Sequence, residues 1–251
     1  MDSTTWKNFK KTRELFRNTT EELLSSLPKL KKIQQQFADS RSDGKNSAYI
    51  VETPVVYNTA LDDITEKDEI KLILVADNPG RREQAKENRR YLVGPSGKIA
   101  AKFFRDNPEL KIDFYKNVII LNKTPIHSAR TIELRRLCEM AGKSKDSLSS
   151  ALVKSQKDMA SLLIKFHEAL SCPVWITGYS EMRKGGLFEV YTTHLKELYM
   201  NKPEMYKQVF IFRHFSMNQF TIDLKQQSLP RESVTKSLER IGAKYRERIL
   251  G

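Results

Sequence analysis

Four short apolar runs limit what this chain can fold into. They are residues 70–76 (IKLILVA), 118–121 (VIIL), 174–177 (VWIT) and 209–212 (VFIF). Runs of this length suit strands rather than helices, and their continuous apolar character suits strands covered on both faces. Helical periodicities lie between them at 98–105, 131–140, 157–170 and 187–200, and another at 231–249 follows the last run. Strands that alternate with helices pair in parallel, and each crossover is right-handed. The expectation is an α/β fold, a three-layer α/β/α sandwich with a central four-stranded, mainly parallel sheet. Residues 5–37 add one or two amphipathic helices, with apolar positions at Phe9, Leu15, Phe16, Leu23, Leu24, Leu27, Leu30 and Ile33 and a kink or new first turn at Pro28. The chain therefore divides into an N-terminal helical extension, 1–45, and an α/β/α domain, 46–251. Residues 38–47 read as a polar loop, 48–57 as extended chain, and 61–69 as an exposed connection.

This topology says where to look for function. Ligands of open α/β sheets bind beyond the carboxyl ends of the strands. The residues there are Asp77-Asn78-Pro79-Gly80, Asn122-Lys123-Thr124-Pro125, Gly178-Tyr179-Ser180 and Arg213-His214-Phe215-Ser216. An Asn-Pro-Gly corner, an Asn ending a buried strand and a His would meet on one rim. That is more polar chemistry than a structural rim needs.

Charge points to the partner. The 251 residues carry a formal net charge of +13, which favours an anionic partner, most often nucleic acid, because Lys and Arg displace counterions from phosphates. Residues 81–105 hold eight basic and two acidic side chains, +6 directly after the first corner. No apolar run is long enough to span a membrane and the N-terminus lacks a secretory h-region. The expectation is an intracellular, cytoplasmic monomer with DNA as partner and no membrane association.

Several other chemistries fail on spacing. "VGPSGKIAAKFF" (93–104) looks like a phosphate loop, but Leu92 stands where the first Gly belongs and Ile99 where Ser or Thr would hold magnesium. What remains is a Gly-Pro-Ser-Gly corner opening a helix. Cys138 and Cys172 are too few and too far apart for a cluster. His127 and His214 follow strands without nearby ligand pairs, and no G-x-S-x-G elbow is present. No metal and no cofactor is expected.

The order "ADNPG", "NRRYLVGPSGKIAAKFF", "IILNKTPIH", "FRHFSMNQF" resembles the uracil-DNA glycosylase superfamily over roughly residues 68–225. The resemblance is to the branches whose first motif ends Asn-Pro-Gly, with no iron–sulfur cluster. It implies a monofunctional hydrolase of base excision repair that cleaves the N-glycosidic bond of uracil or a related damaged base flipped out of DNA. Carried over by residue, Asn78 and Asp77 fall in the catalytic corner, Asn78 orienting the water. Asn122 reads the base edge, its amide offering both donor and acceptor. His214 stabilises the leaving base. Pro79 and Gly80 shape the corner. Leu92 stands in the place of the family's stacking aromatic, with Tyr91 beside it.

Ser96, Lys123, Ser128 and Ser216 are the expected phosphate contacts. Phe215, Met217 and Asn218 fall on the loop that wedges into the duplex. The chain departs from the pattern at Ala76 (for Gly), Asp77 (for Gln, Glu or an apolar residue), Phe215 (for Pro) and Leu92. These departures touch substrate identity. They leave open a DNA-binding member of the same fold with altered or lost catalysis, and, on fold alone, a nucleotide-binding α/β enzyme.

Overall fold

A computed structural model describes residues 1–40 and 48–251. The strands are β1 (Leu72–Ala76), β2 (Val118–Asn122), β3 (Val174–Thr177) and β4 (Val209–Phe212). All pair in parallel, in the order β2-β1-β3-β4. The helices, in chain order, are α1 (Ser3–Ser26), α2 (Leu30–Asp39), α3 (Pro95–Asp106), α4 (Glu133–Met140), α5 (Lys145–Leu170), α6 (Glu189–Tyr199), α7 (Pro203–Lys207), α8 (Gln219–Gln227) and α9 (Val234–Leu250). The α/β class and its three layers are as the alternating pattern requires, and the sheet is wholly parallel. Every residue of β1 and β3 is buried, which is why both read as unbroken apolar runs. After β1 the chain crosses to β2 on one side, and then to β3 on the other. The strand order therefore reverses between β1 and β3, the switch point at which a parallel sheet opens a crevice.

The N-terminal helices share the core of the sheet domain. Phe9, Thr12, Phe16, Thr20 and Leu23 recur at helical spacing and are buried along one face of α1. Phe9 meets Phe166 of α5 at 5.7 Å, and Phe16 lies 5.1 Å from Tyr57 and 6.4 Å from Tyr91. Asp2 caps α1 by accepting the Thr5 N–H at 2.7 Å. Pro28 falls between α1 and α2. The proposed division after residue 45 lies outside the described residues, as does most of the loop expected at 38–47, whose first two residues close α2. Residues 48–57 contribute only an isolated bridge, Val55 to Ile126, rather than a strand.

Helix α5 begins twelve residues earlier than its strongest periodicity suggested, at Lys145 instead of 157. Its first half is rich in Ser and Lys and buries only Leu148, Leu152, Ser155 and Gln156. α9 lies flat on β4, where a Cβ on Gly242 would stand 2.6 Å from Phe210 Cβ. Among the described residues no helix is long and apolar enough to cross a membrane.

Candidate functional site at the carboxyl edge of the sheet

A cavity of about 990 Å³ opens at the switch point. Its walls come from the corner after β1 (Ala76, Asp77, Asn78, Gly80), the loop after β2 (Ser128 to Thr131), the turn after β3 (Gly178, Ser180) and the loop after β4 (His214, Ser216, Met217). The first turn of α3 supplies Gly94, Pro95 and Ser96.

The floor is a buried ion pair. Lys123 Nζ donates to Asp77 Oδ1 at 2.6 Å and to the Thr177 carbonyl at 2.5 Å, and sits 4.9 Å above the Phe188 ring. Lys123 has no exposed surface and Asp77 is 8% exposed. Burial pulls the Lys123 ammonium below its ordinary range, opposed by the charge of Asp77. The other carboxylate oxygen of Asp77 accepts from Thr131 Oγ1 at 3.2 Å. Gly178 closes around this pair at φ +90°, and a Cβ there would stand 2.3 Å from Asp77 Oδ1. The expected phosphate contact at Lys123 is therefore corrected. Its ammonium is consumed inside the protein, tying the ends of β1, β2 and β3 together. Asp77 lines the cavity but has both oxygens engaged.

Asn78 is oriented by two carbonyls, which can only accept, and by a hydroxyl whose proton is donated elsewhere. Its Nδ2 donates to the Ser128 carbonyl at 3.0 Å, to Ser128 Oγ at 3.0 Å and to the Pro79 carbonyl at 3.2 Å. Two carbonyl partners fix which end of the amide is nitrogen. Oδ1 is the atom left for a ligand. Ser128, expected on phosphate, is 3% exposed and its hydroxyl donates to the Arg130 carbonyl at 2.8 Å. It holds Asn78 instead. Behind the corner, His127 Nδ1 lies 2.8 Å from the Pro79 carbonyl, so Nδ1 is the donor, and Nε2 lies 2.9 Å from the Tyr49 hydroxyl.

Glu83 braces the same corner from the other side, and no motif in the sequence marked it. Its carboxylate oxygens accept the Gly80 N–H at 3.1 Å and the Leu92 N–H at 3.0 Å. Burial pushes this carboxyl up to about 7, with the two N–H groups opposing the shift. A carboxyl raised above its ordinary 4.5 contributes stability that is full below that value and is lost as pH rises through the folded value. The wild-type melting temperature is thus expected to fall from pH 5 to pH 8 by more than that of Glu83→Gln, which cannot titrate. Parallel profiles in a thermal melt series would remove Glu83 as the source.

The loop after β4 splits into an anchor and a projection. His214 Nδ1 accepts the Ser216 N–H at 2.9 Å, so the neutral ring carries its proton on Nε2. Burial lowers its pKa and keeps it neutral. Phe215, expected as part of the wedge, is 1% exposed and stacks on Phe220 at 4.3 Å. That role is corrected: Phe215 anchors the loop. Met217 and Asn218 follow with φ of +53° and +58°, and Met217 is 82% exposed at the cavity rim. Two successive left-handed non-glycine residues store strain. Ser216 and Ser96 are both half-buried and line the cavity.

Two expectations about the base pocket change. Tyr91 is 3% exposed and its hydroxyl donates to the Val56 carbonyl at 2.5 Å, so it is a core residue that does not line the cavity. Leu92 does line it, at φ +54°, and Gly97 is needed beneath because a Cβ there would overlap the Leu92 carbonyl. The Gly-Pro-Ser-Gly corner thus serves close packing of α3 on this turn. The ring that reaches the cavity wall from outside the expected motifs is Tyr49, with the Arg81 guanidinium 4.5 Å above it. Asn122 ends β2 in register with Ala76. It is 1% exposed, does not line the cavity, and both its Oδ1 and Nδ2 are buried without a hydrogen-bond partner.

Arg81, Arg82 and Arg130 line the mouth. The cavity offers a hydrogen-bond acceptor at Asn78, a neutral N–H donor at His214 and a cationic entrance, with the unused amide of Asn122 buried outside its lining. Neither a known protein family nor a curated protein matches this chain.

Proposed function

We propose that the chain is a monofunctional DNA glycosylase that hydrolyses the N-glycosidic bond of uracil or a related base extruded from DNA, as part of base excision repair. The observation that carries this reading is a fixed amide orientation and a fixed imidazole tautomer on one cavity. Asn78 keeps its amide oxygen available because carbonyls take its nitrogen. His214 keeps Nε2–H available because Nδ1 accepts from Ser216. The sequence resemblance supplies the reaction.

In this mechanism the base enters the cavity and water approaches the sugar C1′ along Asn78 Oδ1. An amide cannot take the water's proton as a strong base, so Asn78 orients the water. The C1′–N bond breaks as the C1′–O bond forms. The electron pair leaves on the base, and the water's proton passes to solvent. Negative charge grows on the base oxygen, where the His214 Nε2–H donates. Asp77, already neutralised by Lys123, acts as a rigid support. Arg81, Arg82 and Arg130 draw in the phosphates, and Met217 fills the gap left by the extruded nucleotide.

The test is release of bases from single- and double-stranded oligonucleotides containing uracil, hypoxanthine or other damaged bases, read as strand breaks after alkali. Abasic sites are expected with wild type, and a loss of about 10²-fold with Asn78→Ala. Wild type that releases none of these bases, or an Asn78→Ala variant at full rate, would sink the reading.

A second reading is a DNA-binding member of the fold with altered catalysis. It is favoured by the sealed position of Asn122 and by the absence of Tyr91 from the cavity. Salt-dependent DNA binding with no base released from the whole panel would select it.

A further inference from the structure

A second groove runs along α3, between that helix and residues 108–117, with a volume of about 810 Å³. Its lining includes Lys98, Lys102, Arg105 and Lys111, against the single carboxylate of Asp113. The three α3 cations recur at i, i+4 and i+7, one exposed ridge of the helix. Tyr115 stands at this groove with 81% of its surface exposed.

The ring is presented rather than loose. Asp113 Oδ1 accepts the backbone N–H of Tyr115 at 2.9 Å and of Lys116 at 3.2 Å, which stiffens the turn and occupies the one acidic group in the lining. Phe114, buried below, meets the Tyr115 ring edge-on at 5.2 Å and is itself stacked on Phe104 at 5.8 Å. Asp106 pairs with Lys102 and lies 3.9 Å from Arg105, but both contacts are exposed and exchange readily for phosphate.

We propose that this groove binds single-stranded DNA, with a base stacked on Tyr115 and its phosphates on Lys98, Lys102, Arg105 and Lys111. A projecting ring beside a cationic ridge recognises an unstacked base and its backbone, whereas a duplex hides its base faces. The N-terminal end of α3 opens on the large cavity through Gly94, Pro95 and Ser96. Twelve residues of helix span about 18 Å, so one strand can run along α3 and occupy both. Binding here requires a nucleic-acid partner but not base excision.

Fluorescence anisotropy of a labelled 20-nucleotide oligothymidine tests it. Tyr115→Ala should raise Kd about tenfold, the range of one base–aromatic stack, with Tyr115→Trp restoring it. Lys98→Gln with Lys111→Gln should reduce the slope of log Kd against log salt by about 1.4. Wild-type Kd in Tyr115→Ala, no binding by wild type at low salt, or equal displacement by polyglutamate overturns the proposal. If Tyr115 controls binding but wild type releases no base, the groove stands and the glycosylase reading falls. If bases are released at full rate and Tyr115→Ala binds normally, the reverse holds.

Discussion

Lys123→Met is expected to destabilise the fold by about 3–5 kcal/mol, the usual cost of stranding one member of a buried ion pair. The Met side chain fills most of the space, so the loss is electrostatic rather than a cavity. It leaves Asp77, 8% exposed, with only Thr131 Oγ1 on its carboxylate, and it removes the cross-tie to the Thr177 carbonyl. Urea denaturation should show the midpoint falling with little change in slope. Asp77→Asn combined with Lys123→Met should recover a large part of the loss, since no charge is then left unpaired. A double-mutant cycle reads the coupling directly. A single variant that loses less than about 1 kcal/mol would mean that the pair is hydrated in solution. Lys123 would then be available to phosphate after all. The outcome therefore decides between the buried support derived from the geometry and the phosphate contact expected from the resemblance.

Asn122→Ala is expected to separate stability from activity. Two unpaired polar atoms sit in the core at this position, and leaving such a group unsatisfied costs about 1–3 kcal/mol. Deleting the amide removes that penalty and offsets the small volume lost, so the variant should melt no lower than wild type. If this amide reads the base, release should fall by about 10²–10³-fold, the scale of one preorganised donor removed from a site. Full activity in Asn122→Ala would end its assignment to the base edge. A marked drop in melting temperature would show that the amide has partners in the free protein, a bound water among them. Asn122 is buried and does not line the cavity, so base reading requires the side chains between them to move aside.

Much of the frame was legible from residue pattern. β3 and β4 have the boundaries of their apolar runs, and β1 and β2 differ from theirs by one or two residues. Parallel pairing buries strands on both faces, which erases alternation and leaves uniform runs that stand out in a charged chain. The carboxyl rim followed from topology. It brought the corner after β1 and the loop after β4 to one cavity, as the order of elements required. α7 and α8 were not legible. Five and nine residues long, they bury too few side chains to impress a period, and tertiary packing holds them.

Within the site, the division between sequence and structure follows range. Local pattern carries the residue types at each strand end and the backbone breaks that place them: Asn78 before Pro79, Asn122 closing β2, His214 after β4. Which of these side chains are spent internally depends on contacts that exist only in the folded chain. Lys123 and Asp77 are 46 residues apart, and nothing local distinguishes a lysine that will meet phosphate from one buried against a carboxylate on the next strand. Phe215 turns inward because Phe220 lies beneath it, and Met217 is then the residue left outside. Glu83 and Tyr49 entered the site through contacts with Gly80, Leu92 and Arg81 that no spacing rule encodes. Hydrogen bonds and charge pairs are won by whichever partner the fold brings within about 3 Å, and that distance is fixed by strand order and packing rather than by neighbours in the chain.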